Sequence, residues 1–197
     1  VAAAEEAERF FMGGGRVNTA LKKICAELDE AHIPYAVAGA LALNAHGYER
    51  VTVDIDLLLT REGLAAMKRR VLGRGWVEKF PGSKGIRDTD LNVGIDILLT
   101  GDYPGDGKPK PVAFPDPSIA VREPGAPPIL PVPKLIELKL ASGLSAAHRG
   151  KDLIDVQELV KAAGLPEDLA EDLDASVRPK YREIWALAQV HDSNSED

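Results

Sequence analysis

The chain has 197 residues, 45% of them hydrophobic, and carries 24 basic against 31 acidic side chains for a formal net charge of −7. That length has room for one compact domain with an appended subdomain, and the acidic balance argues against a generally basic nucleic-acid binder. With no apolar run of about eighteen residues, no membrane span is expected, and the start VAAAEEAERFF is too acidic for a secretory signal, so a cytoplasmic protein is expected.

Residues 1–15 read as an N-terminal extension ending in Gly13-Gly14-Gly15, and residues 191–197 as a disordered acidic tail. Between them the sequence divides into an α/β core over 16–130 and a helical subdomain over 131–190. Val17, Leu21, Ile24, Cys25 and Leu28 fall at helical spacing and predict a first helix from Arg16 to Ala31, stopped by Pro34. The lone Cys25 sits on that apolar face with no Cys or His partner at zinc spacing and reads as core filler. A short strand over Tyr35–Val37, a short helix over Ala40–Ala45 and a strand over Thr52–Thr60 follow. A third helix turns Leu64, Met67 and Val71 inward and ends near Gly73. Trp76 to Phe80 and a turn-rich basic segment lead to Leu91–Leu99, whose composition is that of a strand buried on at least one face. Residues 101–133 are dense in Pro and Gly and read as loops around a short strand at Ile119–Val121. After Pro133 the pattern is helical: Lys134–Leu144, Arg149–Ala163, and a longer acidic helix or helix pair from Pro166 with a break at Pro179.

The chemistry concentrates in Asp54-Ile55-Asp56. Successive side chains of a strand point to opposite faces, so Asp54 and Asp56 project from the same one. Two like charges held that close are costly unless a divalent cation sits between them. Mg²⁺, or Mn²⁺ in its place, suits such a site because it takes one or two carboxylates and fills its other positions with water and phosphate. Asp96, a lone charge inside GIDILL, is the natural third carboxylate if its strand lies beside the first. Asp88 and Asp90 compete for that role, but their setting, RDTDLN, is polar and turn-like, and surface exposure is expected for both. Gly39 and Ala40 open a helix directly after a strand, where free backbone N–H groups favour an anion such as a nucleotide phosphate.

These residues carry a resemblance. The string GALALNAHGYERVTVDIDLLL, with GA and DID separated by thirteen residues and a later strand aspartate, resembles the nucleotidyltransferase superfamily. It looks most like the AbiEii-type toxin nucleotidyltransferases of bacterial toxin–antitoxin systems. Downstream, LIELKLASGLSAAHRGKDLIDVQEL looks like the lysine helix and R-x-KD-x-x-D segment of that group, so the similarity spans about 33–162. The resemblance implies an α+β fold with a nucleotidyltransferase-like mixed β-sheet, flanking helices and a C-terminal helical subdomain closing the cleft. It implies NMP transfer from an NTP substrate to a hydroxyl: a tRNA 3′ end, a protein side chain or a small aminoglycoside-type molecule. Gly39 and Ala40 would contact the nucleotide phosphates, Asp54, Asp56 and Asp96 would hold metal, and Asp96 would take the acceptor proton. Lys139 would pair with the triphosphate, while Arg149, Lys151, Asp152 and Asp155 would line or brace the cleft. One departure is Ala40, where the superfamily carries Ser or Gly; a Ser hydroxyl would add a hydrogen bond to phosphate of about 1.5–3 kcal/mol.

The residues of the helical segment also read without the resemblance. Lys139 lies in an apolar helix and must either snorkel to solvent or find an anion, and Arg149 three before Asp152 is the spacing of a structural ion pair. From Arg61 to Arg87 there are eight basic residues against Glu62 and Glu78. The stretch Lys68 to Arg87 reads either as a solvated helix face or as a docking surface for RNA or tRNA. A cognate antitoxin is the further partner a toxin would have. The competing function is a noncatalytic nucleotide-binding or interaction module, for which Ala40 is the main support.

Overall fold

The computed structural model describes residues 15–192 and resolves the chain into two compact units. The first comprises the chain through Ala45, Arg50–Thr100 and Pro115–Leu130; the second comprises His46–Glu49, Gly101–Phe114 and the chain from Pro131 onward. Apart from Gly15, the extension expected over 1–15 lies outside the described residues, as does the tail beyond Asp192.

In the first unit, helix α1 (Arg16–Glu30) precedes β1 (Ala36–Val37), α2 (Gly39–Ala45), β2 (Asp54–Leu59) and α3 (Arg61–Val71). The hairpin β3 (Trp76–Glu78) and β4 (Ile86–Asp88) and then β5 (Gly94–Leu99) complete a mixed five-stranded sheet in the order β1-β2-β5-β4-β3. Only the central pair, β2 and β5, is parallel, with Asp54 opposite Gly94 and Asp56 opposite Asp96. One face of the sheet is the core. Ile55, Leu57, Leu59, Ile95, Ile97 and Leu99 bury against Leu21, Ile24 and Leu28 of α1 and Met67 and Val71 of α3. Each such fully buried side chain contributes about 1.5–3 kcal/mol. Cys25 belongs to this core, and burial pushes its thiol up to about 12, so it stays protonated and unreactive at neutral pH.

Local chemistry explains the element ends. The Thr60 hydroxyl accepts the Gly63 N–H at 3.0 Å and caps α3, whose last turn carries Lys68, Arg69 and Arg70 against the negative end of its dipole. Asn44, late in α2, clips the approach to β2 by accepting the Arg50 N–H at 2.7 Å and donating to the Arg50 carbonyl at 3.1 Å.

Several elements depart from their expected form. β4 was hidden inside the turn-rich basic segment because its buried side chains are Ile86 and a charged residue, Asp88. Asp88 is fully buried, against the exposure expected of it. Lys23 donates to it at 2.5 Å, and the Asp90 and Leu91 N–H groups donate to its other oxygen at 2.9 and 2.8 Å. The strand expected at Ile119–Val121 is instead a 3₁₀ turn over Pro117–Ile119, after which Val121 makes an isolated bridge to Ile129.

The second unit is helical: α4 (Val132–Ser145), α5 (Gly150–Ala163) and α6 (Arg178–Asp192), with 3₁₀ turns at Ala147–Arg149 and Glu167–Asp172. Gly143 lets α4 and α5 touch, since a Cβ there would stand 2.5 Å from Leu153 Cδ2. Tyr181 is fully buried and donates to the Pro166 carbonyl at 2.8 Å, while the Trp185 indole donates to the Leu165 carbonyl at 2.9 Å. Pro179 does not break a helix. It falls in the first turn of α6, where a missing N–H costs nothing. Among the described residues no helix is long and apolar enough to cross a membrane.

Candidate active site

The open face of the sheet carries the carboxylates. Asp54 and Asp56 alternate with the buried Ile55 on β2, and the parallel register sets Asp96 of β5 directly beside Asp56. The side chains of Asp54 and Asp96 are about half exposed, at 49% and 51%. The structure therefore brings the three predicted aspartates to one face of adjacent central strands. Asp88 lies apart from them, in the core-facing ion pair with Lys23.

Gly39 closes one side of this face. Its φ of +58° is a left-handed conformation, and a Cβ built on it would stand 1.9 Å from Asp56 Oδ2. The close approach that demands glycine is thus made to the Asp56 carboxylate on β2. Ala40, the next residue, is buried in the first turn of α2.

Lys79 was not among the predicted site residues, yet its ammonium donates to Asp96 Oδ1 at 2.8 Å and lies 4.0 Å from Asp54 Oδ1. Two glycines make room for its stem. A Cβ at Gly94 would meet Lys79 Cε at 2.7 Å and Asp54 Oδ1 at 2.6 Å, and one at Gly85 would meet Lys79 Cδ at 3.1 Å. A glycine opening a strand beside an aspartate was the available signal of such an approach.

Among the described residues no three carboxylate, imidazole or thiolate groups are already gathered as a metal cage. The donor chemistry on the open face nevertheless suits Mg²⁺ or Mn²⁺. Such ions take hard oxygen ligands, and Mg²⁺ is bound through one or two carboxylates plus water and phosphate, not through an all-protein cage.

The helical unit holds the remaining predicted residues. Lys139 on α4 is buried and donates to Asp155 Oδ2 at 2.7 Å and Asp152 Oδ1 at 3.1 Å, both on α5. The Ser142 hydroxyl donates to the other oxygen of Asp152 at 2.6 Å. The anion that Lys139 finds is therefore a pair of aspartates on the neighbouring helix. Arg149, expected as the partner of Asp152, is exposed and reaches the Gly105 carbonyl at 3.4 Å; Lys151 is exposed.

Part of the basic run is paired within the first unit. Lys68 donates to Glu78 at 2.6 Å and to the Ser83 carbonyl, Arg70 binds Glu27 and Glu30, and Arg87 donates to Asn92 at 2.9 Å. With Lys79 on Asp96, three cations of the run meet local carboxylates, while Arg69, Arg74, Lys84 and Arg87 are exposed.

No protein-family model matches the chain, and no curated protein sequence does. Solved structures do match. A crystal structure of the aminoglycoside nucleotidyltransferase ANT(2″)-Ia with adenylyl-2″-tobramycin aligns with a TM-score of 0.55 at 18% identity, covering 83% of this chain and 97% of that one. A solution structure of the antibiotic-resistance factor ANT(2″)-Ia aligns with a TM-score of 0.50 at 18% identity, covering 89% of this chain and 96% of that one. At that identity the likeness concerns the fold: this chain has the mixed α+β nucleotidyltransferase-like architecture.

Proposed function

We propose that the chain is a Mg²⁺- or Mn²⁺-dependent nucleotidyltransferase that moves NMP from an NTP to a hydroxyl. The observation that carries this reading is the in-register pairing of Asp56 with Asp96, with Asp54 on the same face and the Gly39 turn packed against Asp56. Asp54 and Asp56 would hold the divalent cation with Asp96 completing the set. When bound, that cation supplies charge neutralisation at the phosphates. The acceptor hydroxyl attacks the α-phosphorus, and the bond from phosphorus to the oxygen bridging the β-phosphate breaks. Pyrophosphate leaves with that electron pair, and the acceptor proton passes to Asp96. Gly39 and Ala40 would present backbone N–H groups to the nucleotide phosphates, a placement supported by the Gly39 turn lying beside Asp56. Lys139, Arg149, Lys151, Asp152 and Asp155 would serve the nucleotide, and the ion cluster on Lys139 favours bracing over direct contact for it and the two aspartates.

For the acceptor, the motif string favours a tRNA 3′ end or a protein hydroxyl, in a toxin–antitoxin setting with a cognate antitoxin. The aminoglycoside alternative draws on the fold likeness to ANT(2″)-Ia and on the pairing of Lys68 and Arg70 with local carboxylates. Thermal stability with each NTP, with and without Mg²⁺, tests the donor site, because a ligand of the native state raises the melting temperature by mass action. A metal-dependent rise that Asp56→Asn removes is expected; no rise at millimolar nucleotide would return the noncatalytic module. Transfer of labelled NMP to tRNA, to protein or to aminoglycosides then separates the acceptors.

A further inference from the structure

The strand registers place Lys79 in one row with the metal-site carboxylates. Glu78 and Ile95 both face Ile86, so one step along the strands aligns Lys79, Gly85, Asp96 and Asp56 across the sheet. The Lys79 N–H donates to the Gly85 carbonyl at 3.1 Å, which continues the hairpin ladder to that row. The residue between lysine and aspartate is thus a glycine, and the stem crosses it and passes Gly94 to deliver the ammonium. Only 18% of the Lys79 side chain is exposed, well below the carboxylates it meets. Both glycines have other close neighbours too, since a Cβ at Gly85 would stand 2.8 Å from the Ile95 carbonyl oxygen and one at Gly94 2.6 Å from Asp54 Oδ1. It is therefore the covered stem and its contacts with Asp96 and Asp54 that mark Lys79 as placed.

Resting on the nucleotidyltransferase reading, we infer that Lys79 is a built-in counter-ion of the catalytic carboxylates and competes with the divalent cation for them. Its ammonium neutralises charge on Asp54 and Asp96, and a cation binding the same oxygens does so in exchange for that contact or against its repulsion. Lys79 is accordingly a positioning residue that sets metal affinity. The glycines at 85 and 94 leave room for its stem.

The test is Mn²⁺ binding to the full chain without nucleotide, by calorimetry or by the paramagnetic resonance of free Mn²⁺, in wild type, Lys79→Met and Lys79→Arg. Lys79→Met is expected to bind Mn²⁺ about tenfold tighter, equivalent to about 1.4 kcal/mol, with Lys79→Arg close to wild type. Unchanged or weaker binding by Lys79→Met, beside a wild type that binds, overturns the role of Lys79 and leaves the enzyme reading intact. Failure of wild type and Lys79→Met alike to bind Mn²⁺, with or without NTP, overturns the enzyme reading itself. A second measurement needs no variant: Mn²⁺ should raise the acylation rate of Lys79 in wild type, read by mass spectrometry, as the ammonium leaves its carboxylates. A rate that Mn²⁺ leaves unchanged or lowers contradicts the exchange.

Discussion

Two clusters of Asp and Lys, one on the sheet and one in the helical unit, use the same residue types for opposite ends. On the sheet, Asp54 and Asp96 are half exposed and share one ammonium at 4.0 and 2.8 Å, so their oxygens keep accepting capacity toward solvent. In the helical unit, Lys139 and Asp155 are 11% and 2% exposed, and Asp152 has both oxygens engaged. A half-open set of carboxylates can trade partners with a cation or a proton. A buried, saturated set can only be broken. Burial and partner count, more than residue type, separate a group available for chemistry from one that holds helices together.

The sharpest way to break the comparison is Lys139→Met, which leaves Asp155 buried without its counter-ion. A loss of about 3–5 kcal/mol is expected, read from urea or guanidinium unfolding. Should stability change by less than about 1 kcal/mol while NTP affinity collapses, Lys139 would belong to the nucleotide as the resemblance implies, and the contrast between clusters would fall. Next in size is Gly39→Ala, where the added methyl would stand 1.9 Å from Asp56 Oδ2 on a backbone with φ of +58°. We expect a loss of about 1–3 kcal/mol. A metal-dependent NTP shift lost together with that stability would tie the Gly39 turn to the site.

The ion pair of buried Asp88 with the partly exposed Lys23 gives the comparison a pH axis. Burial alone would raise the Asp88 carboxyl, but the Lys23 ammonium and the Leu91 and Asp90 N–H groups outweigh it and hold the carboxyl below its ordinary range. The hydrogen bond to Asp88 likewise raises Lys23 above its ordinary value. A depressed carboxyl stabilises the fold above its unfolded value, about 3.9, and that stability is lost as pH falls through the folded value. A raised amine acts in reverse: its contribution is complete below about 10.4 and is lost as pH rises through the folded value. Denaturant midpoints should therefore fall below about pH 4 and again above about pH 10. In Asp88→Asn both limbs should flatten, with a loss of about 1.5–3 kcal/mol at neutral pH for the charge-assisted bond.

Asp88 and Lys79 also mark where reading the sequence stops. The α1, β2, α3 and β5 segments were legible because each repeats apolar residues at its own period, and Asp54 and Asp56 were legible because a strand puts alternate residues on one face. β4 was not, because half of its buried pair is an aspartate whose partner, Lys23, lies 65 residues away. Nor was the pairing of Lys79 with Asp96, which depends on the antiparallel register of three short strands. Its neighbours in the basic run pointed instead to a solvated face or an RNA surface. The same limit applies to Lys139: periodicity placed it on an apolar helix, but only the packing of α4 on α5 supplied its anions. Local pattern conveys which residues form an element; the long-range partner of each charge is a property of the assembled sheet and helix pair.

The smallest expected change in stability belongs to the residues with the largest expected effect on function. Asp54→Asn and Asp56→Asn each remove a charge from a face already crowded with carboxylates, where neutralising one relieves repulsion among the rest. Both should unfold within about 1 kcal/mol of wild type while losing the metal-dependent shift with NTP. Asp155→Asn should do the reverse, losing stability while the surviving folded protein still responds to nucleotide and metal. Measuring unfolding free energy and ligand shift for all three gives two numbers per variant, and the comparison requires them to be anticorrelated. If Asp56→Asn lost as much stability as Asp155→Asn, the sheet carboxylates would be structural ions. The exposed sides of Asp54 and Asp96 would then have no chemical use, and the noncatalytic module would be the better account of this fold.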